Sequence, residues 1–324
     1  MLAFTKIEAV KQNRDASRDV TELGCLSRAD GLEGSGVRIR PMDDVDLGRI
    51  VELRSAVRWA ADPRAFDLLR GMREVRWAVA EAPDGTLAGM VGAVPFGRIG
   101  ILCHLAVRDD YRKMGLGYRL SSWAVLYLRS RGAEVVRLYS TRQAEGLYHS
   151  LGFRPGAPRT VYRLEESSRR AREEADGHRV ESLSFGDLPE LYGLDLWSYG
   201  GDRSALILAT LRLHPGGSLV ARDSSGQIKG YLVRSGSGGA TRVGPFVGST
   251  PVVARLLLIR ALRASGGAPV EVTVPGSAES PAHDLLREFG FRGRGDRLRM
   301  ELGEESSVRR SGLEHYGTTP YLAT

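Results

Sequence analysis

At 324 residues, with 42% hydrophobic and 26% charged side chains, the chain has a globular composition and the length of two domains of about 150 residues each. The formal charge of +7 is carried almost wholly by arginine, since Lys6, Lys11, Lys113 and Lys229 are the only lysines. With no stripe of basic and aromatic residues, this points away from nucleic acid and leaves anionic ligands open. Cys25 and Cys103 are too few for a disulfide framework, no apolar run has transmembrane length, and MLAFTKIEAVKQNRD is too charged for a signal peptide. A cytoplasmic protein with no membrane partner is expected.

Residues 1–36 mix charges with Gly and Ser without periodicity, so a loosely ordered arm is expected. VRIRP from Val37 reads as a strand, and Asp43 or Asp44 caps a helix with apolar positions at Leu47, Ile50, Val51 and Leu53. Asp62 and Pro63 start a second helix. VRWAVAEA, a turn at Pro83–Gly85 and LAGMVGAVPF then give a strand, turn, strand pattern, followed by a buried strand over Ile101–Val107. Leu116, Leu120, Trp123, Ala124 and Tyr127 mark one face of a helix ending at Gly132. EVVRLYS is a strand, EGLYHSLG a short helix and TVYRLE the next strand; the polar run 165–177 reads as a linker. The second half, 178–303, repeats this order, and YHSLGFR and LREFGFR place Gly152 and Gly290 138 residues apart, one domain length. In that half VGPFVGSTPVVARLL reads as the counterpart of the loop and helix start that follow Val107.

DYRKMGLGYRL, Asp110–Leu120, lies between the buried strand and the amphipathic helix, where outward N–H groups and a helix N-terminus favour phosphate. Lys113 is followed by Met114, so it is no P-loop; Leu120 stands where a dinucleotide fingerprint needs its third glycine. The remaining form, Arg-x-x-Gly-x-Gly over 112–117, resembles the pyrophosphate loop of the GNAT superfamily of acyl-CoA-dependent N-acyltransferases. HLAV before it and TRQAEGLYHSLGFR after it extend the resemblance over 37–164.

The resemblance implies an α/β fold of two tandem GNAT-like domains, 37–164 and 178–303, each a mixed, largely antiparallel sheet flanked by helices, with a tail over 304–324. It implies acetyl-CoA as cosubstrate and an amine acceptor, in a monomer or homodimer. The pantetheine arm falls to Leu105, Ala106 and Val107, whose strand also reads as an ordinary buried one; the pyrophosphate falls to Arg112, Lys113, Met114, Gly115, Leu116, Gly117 and Tyr118. Thr141 lies near the cofactor in relatives and serves equally as a helix cap. Tyr148 matches the tyrosine that protonates the departing thiolate, or is a packing aromatic. His104 is the one conventional base on the central strand, and one step of alternation decides whether it faces the cleft; His149 is expected on the solvent side. No His/Cys cluster has metal-ligand spacing, so no metal is expected, and no nucleophile has a recognisable partner, which favours direct attack through a tetrahedral intermediate. A non-catalytic acyl-CoA sensor or interaction protein is the alternative.

At the 138-residue offset Val253 and Arg255 stand for Gly115 and Gly117, and Leu286 stands for Tyr148, so the second domain is expected to be degenerate in cofactor binding. The tail HYGTTPYLAT packs back on a domain, closes the cleft or stays unstructured.

Overall fold

The computed structural model describes residues 36–59, 63–166, 177–237, 239–276, 280–304 and 314–318. The expected arm before Gly36, Cys25, the Asp62 helix start, most of the linker and the last six residues lie outside these.

The first half runs β1 (Arg38–Pro41), α1 (Leu47–Ala56), α2 (Pro63–Arg70), β2 (Arg76–Glu81), β3 (Leu87–Phe96), β4 (Ile99–Val107), α3 (Leu116–Ser130), β5 (Val135–Ser140), α4 (Glu145–Ser150), β6 (Arg154–Pro155) and β7 (Arg159–Leu164). The second runs β8 (Arg179–Ser182), α5 (Leu188–Tyr199), α6 (Ser204–Leu213), β9 (Leu219–Arg222), β10 (Ile228–Ser237), β11 (Ala240–Gly248), α7 (Pro251–Ala264), β12 (Val270–Pro275), α8 (Pro281–Glu288), β13 (Arg292–Leu302) and β14 (Glu314–Gly317). The stretch read from sequence as a loop over VGPFVG is strand β11. Gly244 and Pro245 punctuate it and hide its pattern, yet Phe246 and Val247 are wholly buried.

Repetition shows in local chemistry as well as in order. Asp43 and Asp46 form a capping box before α1, and Ser184 and Asp187 form one before α5, each pair 141 residues from its counterpart. Arg40 donates to Asp46 at 2.7 and 2.8 Å and to Glu81 at 2.8 and 3.0 Å, tying β1, the start of α1 and β2 together. Of the apolar positions expected in α1, Ile50 and Leu53 are buried, whereas Val51 is 64% exposed.

The exchange of closing strands could not be read from the order of elements. In the first sheet β1, β2, β3, β4 and β5 lie side by side, and the strand beyond β5 is the end of β13, Leu298–Leu302 against Val136–Ser140. In the second, β8, β9, β10, β11 and β12 lie side by side, and the strand beyond β12 is β7, Arg159–Leu164 against Val270–Pro275. Each half thus completes the other's sheet, and β7 pairs with the start of β13 where the two meet. A slip between Gly293 and Asp296, with Gly295 at φ 111°, bends β13 from one sheet into the other.

Helix α3 packs Leu116, Leu120, Trp123, Ala124 and Tyr127 on one face of the first sheet. Helices α1 and α2 cover the opposite face through Ile50, Leu53, Phe66 and Leu69. Each such buried side chain contributes about 1.5–3 kcal/mol of transfer free energy. The site forms where these layers meet the open end of β4.

Candidate functional site

Strands β4 and β5 run parallel and pair only over Ile99–Ile101 with Val135–Arg137. Past that point they separate, so among the described residues Leu102–Val107 has no partner strand on its β5 side. This stretch contains Leu105, Ala106 and Val107. Backbone donors and acceptors along such an edge suit the amides of an extended ligand. Residue 89 must be small here, because a Cβ on Gly89 would lie 2.7 Å from the Ala106 carbonyl oxygen and 2.9 Å from Leu120.

The mouth of the slot is the Arg112–Gly117 loop. Gly115 takes the left-handed conformation, φ 72°, and caps α3 with its backbone; the first helical bond is donated by Arg119 to the Gly115 carbonyl at 3.1 Å. No side chain caps the helix, so the N–H groups of Gly115, Leu116, Gly117 and Tyr118 donate to no acceptor among the described residues. Four converging donors at a helix N-terminus form an anion cradle. Arg112, exposed and paired with Asp109 at 2.9 Å, and exposed Lys113 stand beside it. A Cβ on Gly117 would lie 3.1 Å from Leu147 of α4, so the second glycine lets α4 approach the loop. Tyr118 is 46% exposed, and Met114 half-buried.

Helix α4 brings Tyr148 to the α3 face of the sheet, against Phe153, with ring centroids 5.8 Å apart. The side chain is 5% exposed, and its hydroxyl makes no hydrogen bond among the described residues. Burial, and then the neighbouring Cys103 on β4, push the phenol well above its ordinary range, so it holds its proton throughout neutral pH. Cys103 is itself buried, and desolvation raises its thiol, which keeps it un-ionised. Thr141 is exposed at the end of β5, where its carbonyl accepts from the Ala144 N–H at 3.0 Å. His149 is exposed and pairs with Glu145 at 3.3 Å.

The placement of His104 depends on a break in alternation. Pairing between β3 and β4 slips from Gly92 with Cys103 to Met90 with Ala106, so His104 and Leu105 together oppose Val91, and His104 adopts φ 52°. This bulge turns His104 to the α1 and α2 face, 5.4 Å from the Trp77 ring and 5.9 Å from Trp59, with 1% of its surface exposed. His104 and Tyr148 therefore lie on opposite faces of β4.

On that opposite face sequence reasoning missed a wall built by both halves. Arg137 of β5 donates to Glu301 of β13 at 2.7 Å, and Arg299 approaches the same carboxylate at 3.3 Å. The Arg137 guanidinium lies 5.9 Å from the Tyr199 ring, over which Arg203 stacks at 3.9 Å. Arg203 in turn pairs with buried Asp195 at 2.5 Å. The available signal was an arginine flanked by Val135, Val136 and Leu138 within EVVRLYS, but its partner lay 164 residues away. Among the described residues no group of His, Cys, Asp or Glu is gathered to hold a metal, and no helix is long and apolar enough to cross a membrane.

The β4 and β5 pair thus splays past a bulge and has a glycine cradle at its open end. Two GNAT acetyltransferase domain families match the chain, one over residues 73–155 and the other over 191–315. The chain belongs to the GNAT superfamily, as a tandem of two GNAT domains. A similar protein is the uncharacterized N-acetyltransferase YitH of Bacillus subtilis, 27% identical over 208 residues, 64% of this chain and 71% of that one. Among solved structures, one from Pyrococcus horikoshii superposes with a TM-score of 0.72 at 20% identity, over 91% of this tandem GNAT chain and 99% of its own. A tandem GNAT protein from the clavulanic acid biosynthesis pathway superposes with a TM-score of 0.61 at 15% identity, over 83% of this chain and 100% of its own. At these identities both structures bear on the fold.

Proposed function

We propose that the first GNAT domain, 37–164, is a cytoplasmic N-acetyltransferase that moves an acetyl group from acetyl-CoA to a primary amine. The observation that carries this reading is the alignment of an open β4 edge with the unpartnered N–H groups of Gly115–Tyr118 at its mouth. In this reading Leu105–Val107 bind the pantetheine amides, and Arg112–Tyr118 hold the pyrophosphate. The amine approaches from the α1 and α2 side, past Arg137 and Tyr199, and attacks the thioester carbonyl directly. Tyr148, on the other side of β4, gives its proton to the departing thiolate, and the proton that the amine sheds to solvent balances the one that restores the phenol; raised by burial, Tyr148 is fully protonated before each transfer. His104 stays enclosed by Trp59 and Trp77, and its part as a base requires Trp59 to move aside.

The second domain, 178–303, acts in this reading as a scaffold that binds no cofactor. Helices α4 and α8 end in the same turn. Phe153 N–H donates to the Tyr148 carbonyl and Phe291 N–H to the Leu286 carbonyl, both at 3.0 Å, with Gly152 and Gly290 at φ 86° and 81°. Leu286, which carries no proton to give, thus occupies the place of Tyr148. Between β4 and α3 lie the eight residues 108–115, whereas only Ser249 and Thr250 separate β11 from α7. Thr250 caps α7 with its own side chain, accepting from the Val253 N–H at 3.2 Å, and Pro251 has no N–H. The sequence-based offset is corrected accordingly: Thr250, not Val253, stands for Gly115.

The test is an amine-acceptor screen reading free CoA release, run with the native chain and with Tyr148→Phe. Release that depends on an added amine and drops steeply in the variant supports the reading. Acetyl-CoA binding with no turnover on any amine, equal in both proteins, supports the sensor reading instead.

A further inference from the structure

The second domain has its own splayed pair, and it is full. Strands β11 and β12 run parallel and pair only over Thr241–Val243 with Val270–Val272, then separate as β4 and β5 do. Strand β14 enters the gap: Glu314, His315 and Gly317 pair with Gly248, Val247 and Phe246 on the β11 side. On the β12 side the Thr318 N–H donates to the Thr273 carbonyl at 2.7 Å. The segment thus pairs as a strand with the β11 edge and reaches the β12 edge at Thr273.

The fit is built in rather than incidental. Tyr316 is wholly buried in the second core, its ring 5.2 Å from that of Phe246. Gly317 sits at the vertex, where a Cβ would lie 3.0 Å from Val272 Cγ1, 3.3 Å from Phe246 Cβ and 3.4 Å from the Val243 carbonyl oxygen. Gly89 and Gly230 mark the correspondence, since a Cβ on either would lie 2.7 Å from a carbonyl oxygen, of Ala106 and of Val247 respectively. Val247, 141 residues beyond Ala106, belongs to the pair that receives β14.

We propose that the splayed slot of the second domain is a peptide-strand receptor whose resident ligand is the chain's own segment Glu314–Thr318, held where the first domain holds pantetheine. The correspondence with pantetheine rests on the reading of the first domain given above. The segment also carries His315 to within 6.2 Å of the Tyr199 ring, so its seating bears on the wall that faces the first domain.

The test uses the full chain with a protease recognition site placed within 305–313, cut after folding. The segment should stay with the body through gel filtration, be displaced by an excess of synthetic peptide 314–324, and resist millimolar acetyl-CoA. Gly317→Val, which overpacks the vertex, should release it about tenfold faster or more. If that variant fails to fold, the native cut chain still decides. Loss of the segment on cutting, or its displacement by acetyl-CoA, overturns the proposal. A chain that binds no acetyl-CoA anywhere would sink the reading of the first domain, yet retention of the cut segment would be measured all the same.

Discussion

The two halves share one frame and differ in what enters it. In the first, no strand among the described residues fills the opening between β4 and β5, which leads to a glycine cradle; in the second, the opening between β11 and β12 is closed by β14, and the cradle is replaced by a capped turn. The splay itself is a property of the topology, because both halves have it, each at a slip in the hairpin that precedes it. In the reading proposed above, ligand choice lies in a few residues around it: six more loop residues, a pair of glycines and one tyrosine set the first slot apart from the second.

Several changes bear on that contrast. Tyr148→Phe removes the hydroxyl, which Leu286 also lacks, and kcat should fall about 100-fold with the KM for acetyl-CoA nearly unchanged, measured by steady-state kinetics. Gly115→Val together with Gly117→Val should weaken acetyl-CoA binding by more than about tenfold in a titration, because one substitution strains a positive φ and the other meets Leu147. His104→Asn keeps a residue that tolerates the left-handed backbone, and kcat should stay within about threefold. A larger loss would make His104 the base.

A smaller effect concerns stability. Arg40 holds Asp46 and Glu81 at about 2, below the usual carboxylate range, by charge-assisted hydrogen bonds. Their folded values are depressed, so their contribution is present above about pH 4 and is lost as pH falls toward 2. Thermal melts of Asp46→Asn across pH 2–6 should show a flatter acid limb than the native chain.

The local geometry of the candidate site was legible because its signals lie in adjacent residues. A cradle needs glycines beside a helix start, and the turn after Tyr148 needs Gly152, so DYRKMGLGYRL and GLYHSLGF carry their geometry in adjacent residues. The bulge at His104 was hidden because alternation assumes an unbroken pleat, and no residue type announced a left-handed histidine. The strand exchange was hidden for a different reason: β7 and β13 read equally well as closing strands of either sheet, and only pairing across more than a hundred residues distinguishes them. Strand β14 looked like tail, since four residues with a glycine make no periodic pattern.

If the first slot takes acetyl-CoA and the second takes peptide, calorimetric titration of the full chain with acetyl-CoA will give one site per chain, lost in the Gly115→Val, Gly117→Val double variant. Two sites per chain, or one site that survives those substitutions, would rule out this division between the slots.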